Sequence, residues 1–159
     1  RGNSWVKSRS GGWIQTRPFA YLKERCSMVE TVFVYSLLLW LVFMVFAIIN
    51  GITREKLYRP RIGEWKAHVI STFILVTFIA LSTYLLLKYG VKSYTSLDLL
   101  LVGVVWSSMT VTFEFLFGHF AEGYSWQRLL KDYNLLKGRV WIFVPLTLLL
   151  SPYLIGAVI

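Results

Sequence analysis

The 159-residue sequence has little charge, few acidic residues and a single cysteine. Charged residues make up 16% of the chain, against about 25% in an average soluble domain. Asp and Glu number only 8, so the 17 Lys and Arg leave a net charge of +9. The single cysteine, Cys26, excludes an internal disulfide, a CxxC redox pair and a c-type haem attachment. These shortages exclude an ordinary water-soluble globule and a disulfide-rich secreted module.

Apolar residues are abundant instead, at 56% of the chain with a mean hydropathy of +0.58. This abundance excludes a disordered tail. The apolar residues gather in four runs of about 20 residues each, at 31–49, 69–87, 99–118 and 140–159. At 1.5 Å per residue such a run reaches about 30 Å, the thickness of a hydrocarbon core. The sequence therefore predicts an all-α integral membrane protein, with four transmembrane helices in an antiparallel bundle.

The topology places the protein in a membrane without fixing its orientation. Lys and Arg number 8 on one side of the predicted bundle and 9 on the other, a balance that leaves the positive-inside rule undecided. We expect a multi-pass protein of a bacterial inner membrane or an organelle inner membrane.

The first 27 residues differ in composition from the rest of the chain. They contain 6 Lys and Arg, with no acidic residue before Glu24. We interpret residues 1–27 as a basic extension lying on the membrane surface or on a partner protein, and residues 28–159 as the transmembrane domain. A tail immobilised by chance contacts is the simpler alternative.

The connection between the first two apolar runs, residues 51–66, is strongly basic. Asn50-Gly51 is expected to end the first helix, because glycine tolerates the left-handed conformation of a helix C-cap. Clustered cations suit lipid phosphates or another head-group-like anion, whereas the plainer interpretation is a solvated loop that sets topology. The charged residues concerned are Arg54, Glu55, Lys56, Arg59, Arg61 and Glu64.

The connection at residues 119–139 predicts a short amphipathic helix. Ser125 is a suitable N-cap and Gly138 a suitable stop. Apolar residues recur between them at helical spacing, which is typical of a helix lying in the membrane interface. The same stripe could instead cover the mouth of the bundle or face a partner chain. The stripe is Trp126, Leu129, Leu130, Tyr133 and Leu136, and the residues expected to face lipid or a partner are Arg59, Arg61, Trp126, Arg128, Lys131 and Lys137.

Ionisable side chains from both connections are expected to meet at one membrane boundary. Glu114 is a lone carboxylate within an apolar run. Because an ionisable group inside a membrane is costly, it is a candidate functional residue. The predicted boundary cluster consists of Arg54, Glu55, Glu64, His68, Glu114, His119 and Arg139.

Three interpretations of this cluster stay open. In the favoured, structural one, Glu114 accepts a charged hydrogen bond from Arg54 or Arg139 and so ties a loop to the bundle. A metal site of His68, Glu114 and His119 does not match the Glu-x-x-His spacing of ferritin-like carboxylate sites. A proton or ion relay would need a polar path, which the spans do not offer. A haem held by the two histidines has no supporting motif, so we predict no cofactor beyond structural lipids.

Two segments carry a resemblance to a known group of proteins. They are NGITREKLYRPRIGEWKAHVIST (50–72) and FEFLFGHFAEGYSWQRLLKDYNLLKGRVW (113–141). With their NG..RE, FEF..GH and YN..KGR.W stretches they resemble a family of small uncharacterised prokaryotic four-helix membrane proteins. The resemblance covers the chain from Met28 onward and implies a fold but no activity. It gives weight to Arg54, Glu55, Glu114, His119, Asn134, Lys137 and Arg139.

No catalytic signature accompanies these features, so an enzymatic role is not favoured and no catalytic residue is predicted. The leading hypothesis is a non-catalytic accessory or structural subunit of a larger membrane complex, since no extramembrane domain is present. Its partners would be other membrane subunits and anionic lipid head groups rather than nucleic acid. The alternative is a small transporter, or a protein acting on a lipid or small ligand at the Glu114, His119 and His68 cluster. A third possibility is an adaptor that binds anionic lipid through the two basic connections.

Overall fold

The computed structural model describes residues 4–7, 11–16, 18–91, 93–120, 123, 125–133 and 140–159. From residue 18 onward every described element is helical, which confirms the predicted helical class for that part. The helices are α1 (Pro18–Thr53), α2 (Arg59–Ile62), α3 (Glu64–Leu85), α4 (Ser96–Phe120), α5 (Trp126–Asp132) and α6 (Phe143–Gly156), with π-helical turns at Arg54–Tyr58 and Leu86–Gly90.

A short β-hairpin precedes the helices and was not predicted. Strands β1 (Ser4–Lys7) and β2 (Trp13–Thr16) pair antiparallel, with Ser4 opposite Thr16. Gly11 lies between them with φ of 86°, a conformation that glycine adopts without steric cost. Helix α1 then begins at Pro18, a residue type favoured in a first helical turn. Residues 18–27 are therefore continuous with the first apolar helix.

In the part of the chain that the structure describes, three helical segments are long and apolar enough to cross a membrane. They are Arg25–Ile62, Glu64–Gly90 and Ser96–Phe120, with lengths of 38, 27 and 25 residues. Only 22–28% of their most apolar windows is buried within the protein, so most of that apolar surface faces outward. The fourth predicted run, 140–159, is helical only at Phe143–Gly156. These 14 residues reach about 21 Å, less than a typical hydrocarbon core.

The first long helix does not end at Asn50-Gly51, and that prediction is wrong. The chain stays helical through α1, a π-helical turn and α2, and stops at Gly63, whose φ is 83°. Asn50 is buried, and its Nδ2 donates a hydrogen bond of 2.9 Å to the carbonyl oxygen of Ser71 on α3. The asparagine thus joins two helices instead of ending one, and Gly63 provides the left-handed stop.

The core lies where α6 packs against α3 and α4 and where α1 packs against the same two helices. Two buried tryptophans join α1 to α4 through their indole N–H groups. Trp106 Nε1 donates to the Ser36 carbonyl and Trp40 Nε1 to Thr110 Oγ1, both at 2.9 Å. These bonds satisfy donors that would otherwise be costly to bury. The buried apolar cluster is Val32, Trp40, Phe43, Leu75, Ile79, Val91, Val102, Trp106, Val144 and Leu148.

At the end of the bundle where α4 begins, a capping contact closes its first turn and an ion pair connects it to α1. The Thr95 amide donates to Asp98 Oδ2 at 2.8 Å, and the Asp98 amide donates to Thr95 Oγ1 at 3.3 Å. This reciprocal pair caps the first turn of α4. Arg25 Nη1 on α1 lies 3.9 Å from Asp98 Oδ2, which places the two residues at the same level. At the opposite end, residues 43–53 of α1 and the π-helical turn after it lie alongside the start of α3 and the end of α4.

Candidate functional site

A cavity of about 480 Å³ opens at the end of the bundle where α4 ends and α3 begins. Its volume falls in the range of about 300–1,000 Å³ that small-molecule sites occupy. Side chains of α1, α3, α4, α5 and α6 form its wall, together with Trp141 just before α6. The apolar lining residues are Phe43, Met44, Ala47, Ile48, Ile52, Leu75, Ile79, Phe113, Phe117, Leu129, Trp141, Val144 and Leu148.

The cavity runs lengthwise along the helices. Along α1 and the π-helical turn after it, the lining extends from Phe43 to Lys56, and on α3 it extends from His68 to Ile79. At 1.5 Å per residue the two stretches cover about 20 Å and about 16 Å. Polar groups lie near one end of both stretches and apolar groups along the rest. The cavity is therefore long, with a polar mouth and an apolar interior.

The mouth carries a network of charged hydrogen bonds around Glu55. Arg59 Nη1 donates to Glu55 Oε2 at 2.7 Å, and Arg54 Nε donates to Glu55 Oε1 at 3.2 Å. Arg54 Nη1 also lies 3.4 Å from His68 Nδ1. Because a guanidinium only donates, a hydrogen bond at this contact requires Nδ1 of His68 as the acceptor. Arg59 further reaches Glu64 Oε2 at 3.5 Å, outside the cavity lining.

Glu114 receives a hydrogen bond from the Tyr133 hydroxyl, at Oε2. The sequence predicted a structural tie at Glu114, with Arg54 or Arg139 as donor. Arg54 instead contacts Glu55 and His68, and Arg139 lies outside the described residues. The bond from Tyr133 joins the chain just beyond α5 to α4, and the bond from Arg139 to Glu114 stays a prediction.

Helix α5 covers part of the cavity mouth. Its residue Leu129 lines the cavity and packs against Gly118, where an added Cβ would lie only 2.6 Å from Leu129 Cδ2. Trp126 stacks on His119, with ring centroids 4.2 Å apart, and on Phe115, with centroids 6.2 Å apart. Three roles were left open for this segment. The contacts of Leu129 agree with one of them, in which the helix covers the mouth of the bundle. Trp126 and Leu130 nevertheless keep about half of their surface exposed.

The structure brings together only part of the predicted boundary cluster. Arg54, Glu55, His68 and Glu114 line the cavity, whereas Glu64 and His119 do not. Among the described residues, no group of three or more His, Cys, Asp and Glu side chains is placed to hold a metal ion. Of the residues expected to face lipid or a partner, Arg59, Arg61 and Trp126 are exposed. Lys137, and the side chains of Arg128 and Lys131, lie outside the described part of the chain, as Arg139 does.

Sequence reasoning missed several residues of the site. Lys56 was seen only as one charge of a basic connection, yet it lines the cavity. The sequence analysis placed Tyr133 on the apolar stripe of the predicted amphipathic helix. Its hydroxyl group could have indicated a hydrogen-bonding role, because it is the only polar group on that stripe apart from the Trp126 indole N–H. Thr110 and the apolar wall carried no such signal, because apolar residues at helical spacing look the same whether they fill a core or border a void.

Comparison of the chain with protein-family models, with curated proteins and with solved structures gives no match. The resemblance to small prokaryotic four-helix membrane proteins therefore stays a prediction. What the site can do has to be argued from its own geometry.

Proposed function

We propose that this protein is a four-span membrane protein that binds a small amphipathic molecule in the cavity partly covered by α5. The observation that carries the proposal is the cavity itself, about 480 Å³ in volume, with an apolar interior and a charged mouth. This corresponds to the ligand-acting alternative from the sequence, with its site now centred on Arg54, His68 and Glu114.

The membrane assignment is supported by the outward-facing surface of the helices. Large apolar side chains such as Phe73 and Val45 are 71% and 59% exposed within candidate spans. In water such a surface would drive aggregation, whereas lipid covers it without cost. The segment 140–159, which contains α6, carries no charged residue and packs between α3 and α4. We therefore include it as the fourth span.

The cavity wall has an apolar interior and a charged mouth, and this division supports an amphipathic ligand. The interior is formed by side chains such as Leu75, Ile79 and Leu148, which offer no hydrogen bond to a ligand. A polar molecule would lose its hydration there without compensation. The mouth offers Arg54, Lys56 and His68. A ligand that satisfies both regions has an apolar chain and a polar head group.

The inner end of the cavity favours binding over conduction. On α3 the lining stops at Ile79, and Thr83 one turn further is buried, with its hydroxyl bonded to the Ile79 carbonyl at 2.7 Å. A hydroxyl satisfied within its own helix does not extend a polar path. The ligand would therefore enter and leave through the mouth.

The accessory-subunit hypothesis is the second candidate, and the exposed face of α1 favours it. Val34, Leu38, Leu41 and Val45 are all about half exposed along this helix. Such a face suits a neighbouring membrane subunit, although lipid covers it equally well. Ligand binding and subunit association use different surfaces, so both can hold.

The proposed function is tested with a substitution that fills the cavity. Ala47→Trp puts a large ring into the lining, and Val45→Trp puts the same ring on the outer face of the same helix as a control. Saturable binding of radiolabelled dodecanoate, dodecanol and dodecylamine is measured on protein in phosphatidylcholine nanodiscs, with empty discs subtracted. We expect at least one of these probes to bind, about tenfold or more weakly in Ala47→Trp, since 1.4 kcal/mol of lost contact suffices for that. Equal binding by both variants would contradict the proposal, and Met44→Trp serves if Ala47→Trp does not fold.

A further inference from the structure

The two cations at the cavity mouth keep hydrogen-bond donors that the protein does not use. Lys56 forms no ion pair or hydrogen bond with any residue that the structure describes. Arg54 uses Nε for Glu55 and Nη1 for His68. A guanidinium has five N–H donors, so Arg54 retains several. Its side chain is 25% exposed, which leaves it accessible from the mouth.

The carboxylates at the mouth are, in contrast, already engaged. Both oxygens of Glu55 accept hydrogen bonds, one from Arg54 and one from Arg59. Glu114 accepts the hydrogen bond from Tyr133. Two guanidinium groups thus balance the charge of Glu55, while Lys56 has no acid partner among the described residues. An anionic head group would supply that partner and would also meet the remaining donors of Arg54.

We propose that the ligand of this cavity is an amphiphile with an anionic head group, bound by Lys56 and Arg54. This inference rests on the proposed function and adds the chemical class of the ligand. The head group lies at the mouth and accepts charge-assisted hydrogen bonds from the two cations. The chain occupies the space along α1 and α3 between His68 and Ile79, about 16 Å in length.

The charged residues around the mouth also favour an anionic head group over a cationic one. Arg59 and Arg61 are exposed close by in the chain, so cations outnumber the acids Glu55 and Glu64 along residues 54–64. An excess of positive charge raises the local concentration of anions, and salt weakens the effect because it shortens the Debye length.

The experiment compares four probes with the same dodecyl chain, namely dodecanoate, dodecyl phosphate, dodecanol and dodecylamine. Each is bound to the full chain in phosphatidylcholine nanodiscs at low and high salt. Lys56→Gln removes one cation from the mouth, and Lys66→Gln removes one from the same basic connection outside the cavity lining. We expect dodecanoate or dodecyl phosphate to bind more tightly than the alcohol and the amine. We expect Lys56→Gln to lose about tenfold of that affinity, as for a charge-assisted hydrogen bond, while Lys66→Gln stays close to wild type.

The outcomes separate this inference from the proposed function. If the anionic probes bind most tightly and only Lys56→Gln lowers their affinity, the proposed function and the head-group inference are both supported. The anionic probe with the higher affinity then shows whether the site prefers a carboxylate or a phosphate. If the alcohol or the amine binds as tightly as the anions, or the two lysine variants behave alike, the head-group inference is overturned while ligand binding stands. If none of the four probes binds saturably, the proposed function and the inference fall together.

Discussion

Tyr133 and Glu114 join the segment after α5 to the end of α4 by a hydrogen bond from a phenol to a carboxylate. The sequence could single out Glu114, because a carboxylate in an apolar run is costly unless something satisfies it. It could not identify the donor. Cations are the commoner partners of buried acids, and which side chain reaches Glu114 depends on how α5 folds back over the bundle.

Tyr133→Phe tests this contact, since it keeps the ring and removes the donor. We expect the free energy of unfolding to fall by about 1–3 kcal/mol, the cost of leaving a partly buried acceptor without its bond. Tyr153→Phe is the control, because its ring is exposed on α6. Both variants are compared by chemical unfolding in detergent. Similar values for the two variants would show that the Tyr133 hydroxyl contributes nothing to stability.

At the scale of helices, α4 and α6 approach each other closely at Gly103. A Cβ built there would clash with the carbonyl oxygen of Leu149, a backbone atom that cannot move aside cheaply. Gly103 and Ser107 lie four residues apart on α4, and this spacing of small residues is typical of a helix-packing face. It did not identify α6 as the partner, because a small residue marks a close approach without naming what approaches.

Gly103→Ala should therefore destabilise the bundle although alanine is the better helix former. We expect a loss of about 1–3 kcal/mol from overpacking. Gly51→Ala is the matched control, since Gly51 lies within α1 with nothing within 4 Å of an added Cβ. That change should leave stability equal or raise it by up to about 1 kcal/mol. The measurement is the midpoint temperature of thermal unfolding of each variant relative to wild type. An increase in this temperature for both variants would contradict the close approach at Gly103.

The end of the first long helix shows where local sequence signals fail. Asn50-Gly51 is a typical helix stop, yet the Asn50 side chain bonds to α3 and the helix continues to Gly63. A tertiary hydrogen bond between buried groups outweighed the local preference. The uncharged apolar runs, in contrast, located the three long helices, because runs of about 20 apolar residues are too long for a typical strand.

For the whole molecule, the sequence predicted the helical class and the side of the bundle that carries the ionisable residues. It did not predict the cavity, because a void is the volume that packed helices leave between them and no residue type marks it. The cavity wall uses the same apolar residues as the core, and Leu75, Ile79, Val144 and Leu148 belong to both. The β-hairpin near the N-terminus was missed for a different reason, since its basic composition pointed to a surface segment.

The number of membrane crossings is tested with single cysteines in a Cys26→Ser background. Tyr89→Cys, Leu57→Cys and Ile159→Cys all place the thiol at exposed positions. If α6 and its flanking residues form a fourth span, an impermeant maleimide applied to sealed vesicles labels positions 89 and 159 from the same side. Position 57 is then labelled from the other side. Labelling of position 159 together with position 57 would mean that the segment 140–159 does not cross.

The central claim is that an amphipathic molecule occupies the cavity. The most direct measurement is photolabelling with a dodecanoate whose chain carries a diazirine, followed by mass-spectrometric mapping of the modified residues. The account predicts saturable labels on cavity residues such as Met44, Thr110 and Leu148, suppressed by excess unlabelled dodecanoate. Labels confined to outward-facing residues such as Val45 and Phe73, without suppression, would contradict it.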